Sequence, residues 1–185
     1  MKNEIVRLGL ILGIVSMVAS ASLSFVNAAT EPIITARIAA EADQARKDLL
    51  PEAEEFELVE ADLPEGVTEV YSATKGSETI GYIVSTQSKG YGGTFDVAVG
   101  INEENAVTGV KLSNMNETPG LGAKATEPAF IDQFEEIKSE TKPFVSKNAT
   151  GAEREIVAIS GATSTSDAVA VGVNIALDYY NSNLK

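Results

Sequence analysis

The sequence predicts an α+β fold: a mainly antiparallel sheet with flanking helices, preceded by one N-terminal transmembrane helix. Three observations carry that expectation. An uncharged apolar run opens the chain, from Leu8 to Thr30. The middle alternates apolar and polar residues across short polar turns, as strands of a hairpin-built sheet do. Apolar residues at helical spacing then return before the C-terminus.

Taken in order, the most apolar stretch, Leu8–Val26, has 19 residues. As a helix it would cover roughly 28 Å, close to the hydrocarbon thickness of a bilayer. Gly9, Gly13, Ser16, Ser20, Ser22 and Ser24 dilute it with small residues common where transmembrane helices pack. A cleaved signal peptide is the rival reading, with Val26-Asn27-Ala28 as a cleavage-like site; the length of the run favours an uncleaved anchor. Either way, Lys2 and Arg7 hold the N-terminus in the cytoplasm, so the rest lies on the non-cytoplasmic side. Beyond Thr30 there are 26 acidic and 12 basic residues, a net −14.

Ile34, Ile38, Ala42, Ala45 and Leu49 form one helical face, ended by Pro51 and followed by an acidic stretch from Glu52 to Glu60. The expected organisation is therefore a cytoplasmic start and anchor (1–30), a juxtamembrane helix and acidic linker (31–60), and a folded domain (61–185). In that domain Thr68–Ala73 and Thr79–Thr86 flank the turn Lys75-Gly76-Ser77-Glu78, a hairpin. Phe95, Val97, Val99 and Ile101 alternate strictly, as do Val110 and Leu112 after the turn Asn102–Asn105. Phe130, Phe134 and Ile137 keep helical spacing behind Thr126-Glu127-Pro128. Val157–Ile159 reads as a short strand. A last helix is expected from about Ser164 to Tyr180, with Val169, Val173, Ala176, Leu177 and Tyr180 on one face.

The chain has no Cys, no His and no Trp. That excludes disulfides, a thiol nucleophile, zinc or iron–sulfur centres of ordinary ligation, and a Ser-His-Asp triad. A net charge of −13 argues against nucleic acid as a partner. The clusters Glu52-Ala53-Glu54-Glu55 and Glu135-Glu136 read as solvated faces, and no spaced carboxylate loop suggests calcium or another metal. Redox or transfer chemistry would need a borrowed group.

Three glycine-containing loops join expected elements: Lys89-Gly90-Tyr91-Gly92-Gly93, Glu117-Thr118-Pro119-Gly120-Leu121-Gly122, and Ser160-Gly161-Ala162-Thr163-Ser164-Thr165-Ser166. Glycine marks turns in most proteins, so one such loop alone carries little. The third differs because its five hydroxyls collect where a helix begins and its free N–H groups favour an anion. Ordinary capping by Thr165 or Ser166 is the bland alternative. Without a Lys, the loop is no triphosphate-binding loop.

Ser160-Gly161-Ala162-Thr163 with Ser164-Thr165-Ser166 resembles the flavinylation motif of the covalent FMN-binding domain family. The second loop matches another signature of that family, and Gly90-Tyr91-Gly92 a weaker third. With all three in family order behind an anchor, the chain is similar to the G subunits of Rnf ion-translocating electron-transport complexes. The related C subunits of sodium-pumping NADH:quinone reductases are expected to be longer. The resemblance implies FMN joined through its phosphate to the Thr163 hydroxyl by a flavin transferase. Ser160, Gly161, Ala162, Ser164, Thr165, Glu117, Thr118, Gly120, Leu121, Gly122, Gly90, Tyr91 and Gly92 would lie around the cofactor, with Leu121, Met115 and Tyr91 candidates to line its ring.

Two positions depart from the family pattern. Val157 stands where an Asp is common, three positions before the motif Ser, and Met115 where a His often precedes the Glu of the second loop. No proton role falls to the latter position here. Glu117 reads as a loop carboxylate accepting backbone N–H bonds rather than as a general base. The implied function is that of an electron-carrying subunit without turnover of its own, in a ferredoxin–NAD oxidoreductase complex at the cell membrane, partnered by the other subunits. A solitary exported FMN-binding carrier or reductase domain is the alternative.

Overall fold

The structure is a computed structural model that describes residues 2–148 and 154–185. Two compact units divide the chain, Met1–Gln44 and Ala45–Lys185. The first belongs to α1 (Lys2–Leu49), a single helix of 48 residues. The anchor and juxtamembrane helices expected separately are thus continuous through Pro32, which has no N–H to give the helical ladder. This helix is long and apolar enough to cross a membrane, and none of its most apolar stretch is buried by the protein itself.

In the second unit, β1 (Glu55–Leu58), β2 (Val67–Lys75), β3 (Glu78–Lys89), β4 (Thr94–Asn102) and β5 (Val107–Ser113) make a five-stranded antiparallel sheet in sequential order. The strict alternation of β4 explains its register. Phe95, Val97, Val99 and Ile101 all point to one face and are at most 1 % exposed, and a one-residue slip would expose all four. That face is covered by α3 (Thr163–Asn183), whose Val169, Val173, Ala176, Leu177 and Tyr180 enter the same core. Each such aliphatic side chain contributes about 1.5–3 kcal/mol relative to exposure.

A smaller cluster on the other face joins Leu49, Leu50, Ala73 and Ile83. Here the end of α1 locks to the sheet: Thr108 Oγ1 donates to the Leu49 carbonyl at 2.6 Å, and the Arg46 guanidinium lies 4.1 Å over the Tyr71 ring. Glycine at 100 permits this approach, because a Cβ there would sit 3.0 Å from Leu49 Cβ.

Four segments differ from the sequence expectation. Within the acidic stretch, Glu55–Leu58 pairs with β2 as an edge strand. The helix expected through Ile137 is only α2 (Pro128–Ile131) followed by a 3₁₀ turn, Asp132–Phe134. Glu136 adopts φ 63° so that its N–H reaches the Val107 carbonyl, and Ile137 accepts from Val107; the sheet edge captures backbone that helix would have used. Phe130, Phe134 and Ile137 are buried nonetheless. The strand expected at Val157–Ile159 is β7 (Glu155–Val157), parallel to β6 (Phe144–Ser146). It ends early because the Ile159 N–H turns to the Ser166 hydroxyl at 3.0 Å. Finally, α3 starts at Thr163, which places Thr165 and Ser166 inside its first turns rather than at the cap.

Helix α3 lies close to the sheet at Gly172, whose carbonyl accepts from buried Thr86 Oγ1 at 3.1 Å. A Cβ there would lie 2.7 Å from Ser88 Oγ and 2.8 Å from Val97 Cγ2. Gly172→Val is expected to lower unfolding stability by about 1–3 kcal/mol, read from denaturant midpoints. Burial holds the Tyr180 phenol above its ordinary value, and the hydroxyl donates to Asn105 Oδ1 at 2.9 Å. The folded value exceeds the unfolded one, so this stabilisation is complete below about pH 10 and is lost as pH rises through the folded value. Tyr180→Phe should cost about 1 kcal/mol at neutral pH and flatten that alkaline decline.

Candidate functional site

The three loops meet at one side chain. Glu117 Oε1 accepts the Tyr91 N–H at 2.9 Å and the Gly92 N–H at 3.2 Å, while Oε2 accepts the Thr165 hydroxyl at 3.1 Å. One carboxylate therefore joins the loop before β4, the loop after β5 and the first turn of α3. Hydrogen bonds to an ionised acceptor are among the stronger ones in proteins. The acceptance of N–H bonds expected of Glu117 is present, with both donors from the first loop rather than its own.

Glycines make this convergence possible. A Cβ at Gly90 would overlap Glu117 Oε1, and one at Gly92 would overlap the Asn116 carbonyl. At Gly122 a Cβ would stand 2.5 Å from Glu117 Oε2 and 2.8 Å from Thr165 Oγ1. Leu121 packs over Gly161, which takes φ +79° at the sharp turn into α3.

The start of α3 is shaped by Ser166, which is fully buried. Its hydroxyl accepts from Ile159 N–H and donates to the Ala162 carbonyl, both at 3.0 Å, tying the incoming chain to the helix. Ala162 occupies the N-cap and offers no side-chain cap. Among the described residues, the N–H groups of Thr163, Ser164 and Thr165 have no acceptor, and the half-buried Thr163 hydroxyl has no partner. Unpaired donors at a helix start favour an anion there. Among the described residues no carboxylate is hydrogen-bonded to the Thr163 hydroxyl, and Glu117 is engaged by Thr165 instead. The hydroxyl thus has no base hydrogen-bonded to it among the described residues.

The remaining residues singled out from sequence are distributed around this centre. Ser160, Ser164, Thr118 and Gly120 are exposed, Ala162 is buried, and Leu121 is 43 % exposed. The Tyr91 side chain is 79 % exposed, so only its backbone joins the loops. Met115 packs against the main core. Ser160 sits at the end of a groove of about 260 Å³ walled by Lys124, Glu127, Phe130, Gln133 and Val157. Gln133 escaped the sequence reading. Its Oε1 accepts Val157 N–H at 2.7 Å and its Nε2 donates to the Val157 carbonyl at 3.4 Å, imitating a neighbouring strand. Nothing in a Gln between Asp132 and Phe134 signals that role.

Removing the shared acceptor should loosen all three loops together. Glu117→Ala is expected to cost about 1–3 kcal/mol and to speed amide exchange at Tyr91 and Gly92, measured by denaturation and hydrogen exchange. Gly92→Ala should loosen the same loops by a steric route, through its clash with the Asn116 carbonyl.

Comparison with known proteins identifies the family. Residues 90–178 match the FMN-binding domain, and residues 1–52 match the RnfG N-terminal region. The chain is 36 % identical over 190 residues to the G subunit of the Na(+)-translocating ferredoxin:NAD(+) oxidoreductase complex of Acetobacterium woodii, covering 95 % of this chain and 91 % of the relative. It is 33 % identical to the G subunit of the proton-translocating ferredoxin:NAD(+) oxidoreductase complex of Clostridium ljungdahlii, covering 80 % and 77 %. In fold it is similar to the C subunit of the Na(+)-translocating NADH-quinone reductase from Parabacteroides distasonis, with TM-score 0.57 and 23 % identity over 77 % of this chain and 81 % of that one. Matched in both its apolar N-terminus and its three-loop domain, the chain belongs to the family of G subunits of Rnf-type ion-translocating oxidoreductase complexes.

Proposed function

We propose that this chain is a membrane-anchored electron-carrying member of a ferredoxin:NAD oxidoreductase complex, holding FMN covalently on the Thr163 hydroxyl, on the non-cytoplasmic side. The observation that carries the reading is the convergence at Glu117, which sets an unpartnered Thr163 hydroxyl beside three free N–H groups at the start of α3. The residues present suit a phosphodiester at that hydroxyl. Thr163 would supply the oxygen and lose its proton as the O–P bond forms, while the transferase-bound flavin donor gives up the phosphate-containing leaving group on the far side of that phosphorus; the N–H groups of Thr163, Ser164 and Thr165 would hold the remaining negative charge. Gly161 supplies the left-handed backbone of the turn that leads to Thr163.

FMN, when bound, supplies the electron-transfer chemistry that no side chain of this Cys-free and His-free chain provides. The protein's part is retention and placement. A helix-end charge interaction is worth about 0.3–1 kcal/mol at an exposed site, too little to keep a dissociable cofactor outside the cell. A covalent bond removes that weakness. Among the described residues no base is hydrogen-bonded to the Thr163 hydroxyl, which supports attachment by a separate flavin transferase. The helix Lys2–Leu49 would hold the domain at the membrane, next to the other subunits with which electrons are exchanged.

Intact-mass analysis of the chain co-expressed with its flavin transferase is expected to show one added FMN phosphoryl moiety. Thr163→Ala should abolish the adduct and the yellow colour, whereas Ser164→Ala should keep both. An adduct that persists in Thr163→Ala, or none in the unmodified sequence, would refute the assignment.

A further inference from the structure

The two edges of the sheet are not alike. The β1 edge is four residues long and carries exposed Glu55 and Glu57, the kind of short charged edge that resists pairing with other chains. The β5 edge is seven residues long, and its one charge, Lys111, is paired with Asp48 at 3.0 Å. Among the described residues, only its first residue has backbone groups bonded away from the sheet, through the bonds of Val107 with Glu136 and Ile137. From Thr108 to Ser113 no backbone group bonds outside β4, among the described residues.

This open edge forms the floor of a slot of about 350 Å³. Pro128, Ile131, Asp132 and Glu135 wall one side, Asp48 and Leu49 the other. Asp132 and Glu135 are exposed and have no ion-pair partner among the described residues. Free alternating N–H and C=O groups specify extended backbone as the complement. Uncompensated carboxylates above them specify a cation on that backbone's side chains.

We infer that the β5 edge is an assembly surface, which accepts an extended segment of another protein of the complex as a sixth strand, with a Lys or Arg of that segment facing Asp132 and Glu135. A second copy of this chain is a poor occupant, because it would bring the same carboxylates and the same excess of 14 negative charges beyond Thr30. The inference needs this chain to be one subunit of several, and is independent of where FMN is attached.

Hydrogen exchange of the assembled membrane complex, compared with the full chain alone in the same detergent, tests it. Amides 108–113 should exchange about ten-fold or more slowly in the complex, while those of 55–58 should be unchanged. Replacing Asp132→Lys together with Glu135→Lys should remove the slowing, and Glu55→Lys with Glu57→Lys should leave it. Equal exchange of 108–113 in both samples would overturn the inference, as would slowing in the isolated chain that grows with its concentration, the mark of a second copy. Slowing that survives the Asp132 and Glu135 reversal would overturn the basic occupant. FMN content measured on the same samples separates these outcomes from failure of the cofactor assignment.

Discussion

A single carboxylate organises the functional end of this molecule. Glu117 accepts from backbone 26 and 25 residues before it and from a hydroxyl 48 residues after it. With both oxygens engaged, it fixes the distance between two loops and the first turn of α3. The glycines at 90, 92 and 122 follow from that constraint, since each leaves room for the carboxylate or for the backbone that carries it. So does the state of Thr163. Because Thr165 is the residue that bonds to Glu117, the hydroxyl two positions earlier is left free.

The rest of the fold serves to hold α3 still. Its buried face lies on strands β3 and β4, and Gly172 brings the helix close enough for Thr86 to bond its carbonyl. Ser166 then ties the helix start to the chain arriving from β7. A rigid helix start matters because its free donors act over short range and are useful only when they point to one place. On the proposed reading, the fold devotes no residue to redox chemistry itself. It presents an attachment point, an anion-holding helix end and a membrane helix, and leaves the assembly edge at β5 to make the chain part of a larger device.

Much of this was legible in the sequence where one physical requirement dominated. Phe95 to Ile101 alternate because one face is buried completely, and α3 shows its core stripe for the same reason. The apolar start was plain from the lack of charge. Other parts depended on contacts that sequence does not display. Glu55–Leu58 alternates too briefly, and among too many carboxylates, to stand out as a strand. Phe130, Phe134 and Ile137 satisfy a helical spacing, yet Val107 captures the backbone that would have continued the helix. Of the parallel pair β6 and β7, with three residues a side, only β7 was marked by an apolar run, and two residues late; β6 has no local signal. At the site, the three loops could be read as motifs, while the carboxylate that joins them and the Gln133 amide that holds Val157 emerge only when distant segments meet.

The central claim is that the Glu117 knot positions Thr163 for attachment. Its most direct test is the rate at which the flavin transferase modifies Glu117→Ala. Alanine removes both acceptor oxygens, so neither the loop N–H groups nor the Thr165 hydroxyl keeps its partner. With α3 still folded by circular dichroism, attachment should slow by about ten-fold or more. Modification at the unaltered rate would contradict the account, because Thr163 would then be presented without the carboxylate that is held to place it.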